Sequence, residues 1–266
     1  MAMLRFTILG CGSSGGVPRI GDNWGDCDPA NPKNRRTRCS LLVERIDAGG
    51  TTRVLIDTSP DMREQLLRTG VGTLDAVLYT HSHSDHVNGL DDLRQIVFNT
   101  KVRVPVWADG STQHEVMARF AYAFVQPEGS SYPPICDLHT IKGPVVISGA
   151  GGSITFDPFE VDHGDIDALG FRIGNLAYLP DVLKIPEPIW DSHLQGLDCW
   201  IVDALRRTPH PTHAHMALTL EWIARAQPKH GVLTNMHIDM DHSAVEAETP
   251  AHISAAYDGM VLEYKV

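Results

Sequence analysis

The sequence predicts a layered α/β or α+β domain. Short apolar runs rich in β-branched residues recur throughout the 266-residue chain. Segments with helical spacing are spliced between them, and no repeat of about 20 to 50 residues or low-complexity tract interrupts the alternation. A helical bundle would leave the strand-like runs unpaired, and an all-β barrel has no place for so many helices.

Taken in order, the strand-like runs are Leu4–Leu9, Ser40–Arg45, Val54–Ile56, Ala76–Tyr79, Val102–Trp107, Val145–Ile147, Ser153–Val161, Ala168–Ile173, Leu176–Leu179, Cys199–Val202, Gly231–Thr234 and Val261–Tyr264. They concentrate Val, Ile, Leu and aromatic residues, which suit a buried pleated surface. Helices are expected over Asp61–Thr69, Leu90–Asn99, Thr112–Phe124, Glu187–Gln195, Ala217–Ala226 and Glu248–Tyr257. Apolar residues there recur at helical spacing, and several of the segments open with Ser, Asp or Pro in capping positions. Val17 to Arg38 is rich in Gly, Pro, Asp and Asn. It is too polar for the core and is expected to be a long surface excursion able to carry function. Gln126 to Pro134 reads as a second loop. No composition shift marks a boundary, so residues 1–266 are expected to form a single domain.

With 33 acidic against 22 basic residues the net charge is −11. Such a balance disfavours nonspecific grip on extended nucleic acid or anionic membrane. Five cysteines are spread without a C-x-x-C pair, which points to a reducing compartment. The first ten residues lack the cationic and apolar pattern of a secretory signal, and no apolar run approaches the roughly 20 residues a bilayer requires. The expected location is the cytoplasm. The unusual count is 14 histidines, because imidazole is the commonest metal ligand and the usual acid–base group near neutral pH.

Four ligand-type side chains fall within six residues in Thr80-His81-Ser82-His83-Ser84-Asp85-His86, between the apolar run Asp75–Tyr79 and a helical pattern. On an extended or turning backbone His81 and His83 project to one side, while Asp85 and His86 reach a neighbouring point as the helix starts. One segment can thus serve two adjacent metal ions. Imidazole and carboxylate donors suit zinc, manganese or iron, and the lack of nearby thiolates argues against a closed structural zinc site.

This H-x-H-x-D-H segment at a strand end, followed by Gly89-Leu90, resembles the metallo-β-lactamase superfamily. The resemblance implies an α+β fold of the αββα sandwich type, two mixed sheets with helices on the outer faces, over nearly the whole chain. It implies two divalent ions, Zn or Mn, held by His81, His83, Asp85, His86, His163, Asp181 and a last His. By themselves, His163 reads more readily as a surface or core histidine than a ligand and Asp181 as the start of a turn or helix, although each terminates an apolar run. Superfamily members place the last His directly after the Leu-Thr pair, where Asn235 stands here. Residues two apart on an extended strand share a face, which makes His237 the candidate, with His242 as the alternative. One ion would fall to His81, His83 and His163 and the other to Asp85, His86 and His237, with Asp181 bridging. Asp57 resembles the strand-end Asp near the metals, orienting a ligand His; an N-cap for the helix starting near Pro60 is the competing role.

Within the superfamily, Gly10–Pro18, Asn34–Ser40, Asp57–Asp61, Asp203–Arg206 and Pro211–His213 resemble the cyclic ribosyl phosphate phosphodiesterases of the carbon–phosphorus lyase pathway and relatives akin to tRNA 3′-end processing endonucleases. That resemblance implies hydrolysis of a small cyclic or nucleotide-like phosphodiester by a metal-bridging hydroxide. Asp85, Asp181 and His213 would be the catalytic residues, His213 as a phosphate contact or proton donor. Ser13 and Ser14 in the Gly-rich turn would meet phosphate oxygens, although such a turn is as often plain turn chemistry. The basic run Lys33 to Arg38 is open between a solvated or locally paired loop and a phosphate clamp. That branch carries extra cysteines and a His for a separate structural zinc, and Gly21–Asp28 keeps Cys27 alone, so no third metal is expected. The alternatives are hydrolysis of a carbon ester, thioester or lactone at the same metals, or a noncatalytic or redox sensor of phosphorylated small molecules. A homodimer is left open.

Overall fold

The computed structural model describes residues 2–266. Among them the strands are β1 (Met3–Gly10), β2 (Ser40–Asp47), β3 (Gly50–Ile56), β4 (Ala76–Leu78), β5 (Val104–Ala108), β6 (Cys136–Thr140), β7 (Val145–Gly149), β8 (Gly152–Asp162), β9 (Asp167–Ile173), β10 (Leu176–Leu179), β11 (Cys199–Asp203), β12 (His230–Thr234), β13 (Ile253–Ala255) and β14 (Met260–Lys265). The α-helices are α1 (Met62–Thr69), α2 (Ser84–Val87), α3 (Leu93–Thr100), α4 (Gly110–Phe124), α5 (Glu187–Ser192), α6 (Met216–Ala226) and α7 (His242–Glu248). The strands form two mixed seven-stranded sheets, ordered β14-β1-β2-β3-β4-β5-β6 and β13-β12-β11-β10-β9-β8-β7, so the expected α+β class is met.

Two compact units share the chain. The first comprises the residues up to Leu9, Ser40–Thr155 and Val261–Val266. In it β2 and β3 form an antiparallel hairpin, and β3, β4, β5 and β6 run parallel. Its core joins Leu42 and Leu55 of the hairpin to Val77, Leu93, Val106 and Val116. Each such side chain contributes about 1.5–3 kcal/mol when fully buried. Helix α1 ends at Gly70, whose φ of 69° is a left-handed cap that a side chain would strain. Asp109 caps α4 by accepting from Thr112 N at 3.0 Å. The chain ends meet here, Val266 N donating to Ala2 O at 3.0 Å.

Because β3 and β4 are parallel, their C-terminal ends lie side by side, and Asp57 N donates to Leu78 O at 2.9 Å. The residues after those two strands are Asp57 and the Thr80–His86 segment. Carboxyl ends of parallel strands are the usual place for ligands in such sheets.

The second unit, Gly10–Cys39 with Phe156–Met260, repeats the device. Strands β10, β11, β12 and β13 are parallel, Leu179 pairing with Val202 and Asp203 with Thr234. Asp181, Asp203 and Asn235 therefore emerge at one strand-end row.

Three expectations need correction. The segment Glu248–Tyr257 is not a helix. Asp241 accepts from Ala244 N at 2.9 Å and starts α7 at His242, while Thr249, extended before Pro250, ends it and leads into β13. The segment Leu90–Asn99 splits into a 3-10 turn, Leu90–Asp92, and α3. The excursion Val17–Arg38 is partly core: Val17, Cys27, Asn34 and Arg36 are buried. In the basic run, Arg36 is paired within the protein, its Nη2 donating to Met240 O at 2.7 Å and to Asn34 Oδ1 at 3.3 Å. Strands β6 and β13 were not foreseen. All five cysteines are buried and none forms a disulfide, and no helix among the described residues is long and apolar enough to cross a membrane.

Candidate metal centre

In the first unit the H-x-H-x-D-H segment runs from the end of β4 into α2, with His83 at the N-cap. His81 and His86 are buried, Asp85 is half-buried and His83 is exposed. The ring of His81 lies 4.6 Å from that of His83 and 4.3 Å from that of His86, and His86 Nε2 is 3.6 Å from Asp85 Oδ2.

Behind this cluster stands Asp57, fully buried at φ 64°, a left-handed conformation that Asp tolerates better than most residues. Its Oδ1 accepts from Thr80 N at 2.8 Å, and its Oδ2 accepts from Thr80 Oγ1 and from His86 Nδ1, both at 2.8 Å. Thr80 Oγ1 also lies 2.9 Å from His81 Nδ1. A hydroxyl has one proton, so with Thr80 donating to Asp57, His81 Nδ1–H donates to Thr80. One carboxylate thus orients two imidazoles, directly and through a hydroxyl, and turns both Nε2 atoms away from itself. Burial pushes the Asp57 carboxyl up, and His86 pulls it down. Asp57 makes no N-cap bond to α1, which has Asp61 at its cap position.

In the second unit His163, Asp181 and His213 bring ligand atoms within 4.8 Å of one another. Thr212 O accepts from His163 Nδ1 at 2.7 Å, and His163 Nε2 is 3.9 Å from Asp181 Oδ1. His213 Nδ1 lies 2.9 Å from Asp203 Oδ2 and 3.4 Å from Asp181 Oδ1. Asn235, at φ 61° just beyond β12, donates to Asp181 Oδ1 at 3.1 Å and to Asp203 Oδ1 at 3.2 Å. Burial pushes Asp203 up to about 6, against the pull of His213. The donors of both clusters are imidazole nitrogens and carboxylate oxygens, with no thiolate among them. That chemistry fits divalent ions such as zinc or manganese.

His237 lies outside the His163–Asp181–His213 group. Its Nδ1 is 3.0 Å from Asp239 Oδ1, and its Nε2 accepts from Arg19 Nη2. His242 is also outside the group, buried, with its backbone N donating to Asn34 Oδ1 at 2.8 Å. Ser13 is buried, its N donating to Met236 O at 3.3 Å, and Ser14 is exposed. Sequence reasoning gave no role to Asp203, Thr80, Thr212 or Arg19. Asp203 carried a usable signal: it terminates the apolar run Cys199–Val202 as Asp181 follows Leu176–Leu179.

Comparison with known proteins agrees with this class of fold. The chain belongs to the beta-lactamase superfamily domain family, whose model matches residues 52–238. Over 262 residues it is 34% identical to an octanoyltransferase of Porphyromonas gingivalis, covering 97% of this chain and 51% of that protein. A ribonuclease Z of Bradyrhizobium sp. is 34% identical over 193 residues, covering 67% of this chain and 60% of that one. The chain thus spans about half to three-fifths of the length of these curated relatives. Among solved structures, a new diphosphatase from the PhnP family is 36% identical with a TM-score of 0.86, covering 99% of this chain and 98% of that one. The short form of human tRNase Z, 15% identical over 97% of this chain and 98% of its own with a TM-score of 0.66, shares the fold.

Proposed function

We propose that the substrate of this metal-dependent hydrolase is a small phosphodiester, cyclic or nucleotide-like. The observation that carries this reading is the His213–Asp203 pair, 2.9 Å apart and next to Asp181. With Nδ1–H donated to a buried carboxylate, His213 presents Nε2 as a proton donor for a leaving alkoxide, and Asp203 stabilises the imidazolium form. The neighbour described as a diphosphatase, at 36% identity, supports a reaction at phosphorus.

His81, His83, Asp85, His86, His163 and Asp181 are proposed to hold two divalent ions, Zn or Mn, with Asp181 serving both. Bound there, such ions polarise phosphoryl oxygens and bring the pKa of water toward neutrality. Asp57, Thr80 and Thr212 fix the tautomers of His86, His81 and His163, so that these rings need no reorientation. Asn235 holds Asp181 and Asp203 apart from one another's charge by donating to both. The exposed turn at Ser14, with Ser13 behind it, is proposed to meet the phosphate. A net charge of −11 disfavours an extended nucleic acid gripped through many phosphates. Five cysteines without a disulfide favour a cytoplasmic setting.

The test is a panel of bis(p-nitrophenyl) phosphate, cyclic nucleotides, dinucleoside diphosphates, lactones and thioesters, offered to metal-loaded protein. Turnover confined to the phosphorus esters is expected. Turnover of lactones or thioesters alone would overturn the reading.

A further inference from the structure

His237 is committed on both ring nitrogens. Guanidinium has donors and no acceptor, so Nε2 accepts from Arg19, and the single ring proton sits on Nδ1, facing Asp239 Oδ1 at 3.0 Å. The result is a relay, Asp239 to neutral His237 to Arg19, that fixes the direction of one edge of the guanidinium. The backbone of Arg19 is also pinned. Arg19 N donates to Asn23 O at 2.9 Å, and Asn23 N donates back at 3.2 Å. Its side chain crosses the Gly-rich turn so closely that a Cβ on Gly15 would stand 3.2 Å from Nε.

What Arg19 lacks is a carboxylate of its own: among the described residues its side chain bonds to His237 alone. Arg206 repeats this condition, donating from Nε to Thr208 O at 3.1 Å and from Nη2 to Pro209 O at 2.6 Å. His237 N donates to Leu205 O at 2.8 Å, so the residue just before Arg206 is bonded to the backbone of His237. Their neighbour Arg207 is different, being paired with Glu248. In a chain of net charge −11, two arginines without carboxylate partners mark a place for an anion.

We propose that Arg19, aimed by His237 and backed by Arg206, grips a second phosphate of the substrate, next to the one that is cleaved. Resting on the phosphodiesterase reading, this narrows the substrate to esters with two consecutive phosphates or with a further terminal phosphate. Guanidinium offers five donors and spends one edge on His237, leaving donors for the oxygens of a phosphate. His237 is on this view a positioning residue for Arg19, not a metal ligand.

The test is calorimetric binding of ADP and of AMP to metal-loaded protein, with metal content measured for each variant. Wild type should bind ADP about ten- to a hundred-fold more tightly than AMP, the range of one or two charge-assisted hydrogen bonds. Arg19→Ala should bring the two affinities within about threefold, a small fraction of that range. His237→Leu should weaken the preference at full metal content, while His237→Gln, which keeps an acceptor for Arg19, should restore it. An ADP preference that survives Arg19→Ala, or is absent from wild type, overturns the proposal. Loss of metal in His237→Leu also overturns it, by making His237 a ligand. Hydrolysis is read separately: wild type inert toward every phosphodiester would sink the activity reading, while the ADP preference would still decide this one.

Discussion

His86 Nδ1 and Asp57 Oδ2 stand 2.8 Å apart with neither side chain exposed. With both side chains buried, the ring orientation of His86 depends on that carboxylate. Asp57→Asn should lower affinity for divalent metal by about 10- to 100-fold, the usual cost of losing such a partner. Competition with a chromophoric chelator measures it. An unchanged affinity with a lowered melting temperature would reduce Asp57 to a packing role.

Gly89 lets the ligand segment lie against the loop after β3. Its N donates to Thr58 O at 2.9 Å, and a Cβ there would come within 2.1 Å of Ser59 O. Gly89→Ala should therefore cost about 1–3 kcal/mol, as overpacking generally does. Urea unfolding of the metal-free protein gives the value, and a midpoint equal to wild type would show that the backbone yields freely.

Asp203 and His213 should behave as one unit. His213→Ala is expected to slow hydrolysis by about 10²- to 10⁴-fold, with the double variant losing little more. The loss should be smaller for bis(p-nitrophenyl) phosphate than for an alkyl diester, because an activated aryl leaving group needs little protonation. Equal losses on both would make His213 a phosphate contact, and a loss of metal would make it a ligand.

Elemental analysis of reconstituted protein should find about two divalent ions per chain, since six or more N and O donors exceed the need of one four-coordinate ion. Asp181→Ala should lower occupancy at both positions, and Asp85→Ala chiefly at one. Two full sites in Asp181→Ala would remove its bridging assignment.

The legible part of the site was its strand ends. The apolar run Asp75–Tyr79 stops at Thr80, and four ligand types follow at once. His163 and Asp181 each also stand just past an apolar run, a signal that alone fits a core histidine or a turn residue. His237 could not be placed from its neighbours, because what occupies its Nε2 is Arg19, 218 residues earlier in the chain. The pairing of Asp57 with His86 is similarly nonlocal and required knowing that β3 and β4 are parallel neighbours. In the fold, β6 was illegible because Cys136-Asp-Leu-His-Thr carries little apolar signal at a sheet edge. The last helix was misplaced because the Ser and Ala of α7 are weakly periodic, whereas Asp241 and Pro250 mark its true limits.

A pH dependence of stability follows from His230, half-buried beside Ser254 Oγ at 3.1 Å. Burial holds it below its ordinary value of 6.5, so the folded chain resists a proton that the unfolded chain accepts. Its stabilising share is full above that value and is lost as pH falls through it. Unfolding in urea at pH 7.5 and 5.5 should show lower stability at the acid end, and His230→Gln should flatten the difference. A slope unchanged by the substitution would assign it to other histidines.

Val266 N donating to Ala2 O has a consequence for how the fold can be wired. With β14 beside β1, the strand order is indifferent to where the polypeptide is opened. A few residues joining 266 to 2 would close a ring, and that ring could be cut at the exposed Glu128-Gly129 turn without removing a strand from either sheet. The same adjacency lets a larger polypeptide carry this fold as an insert, entering and leaving at one spot.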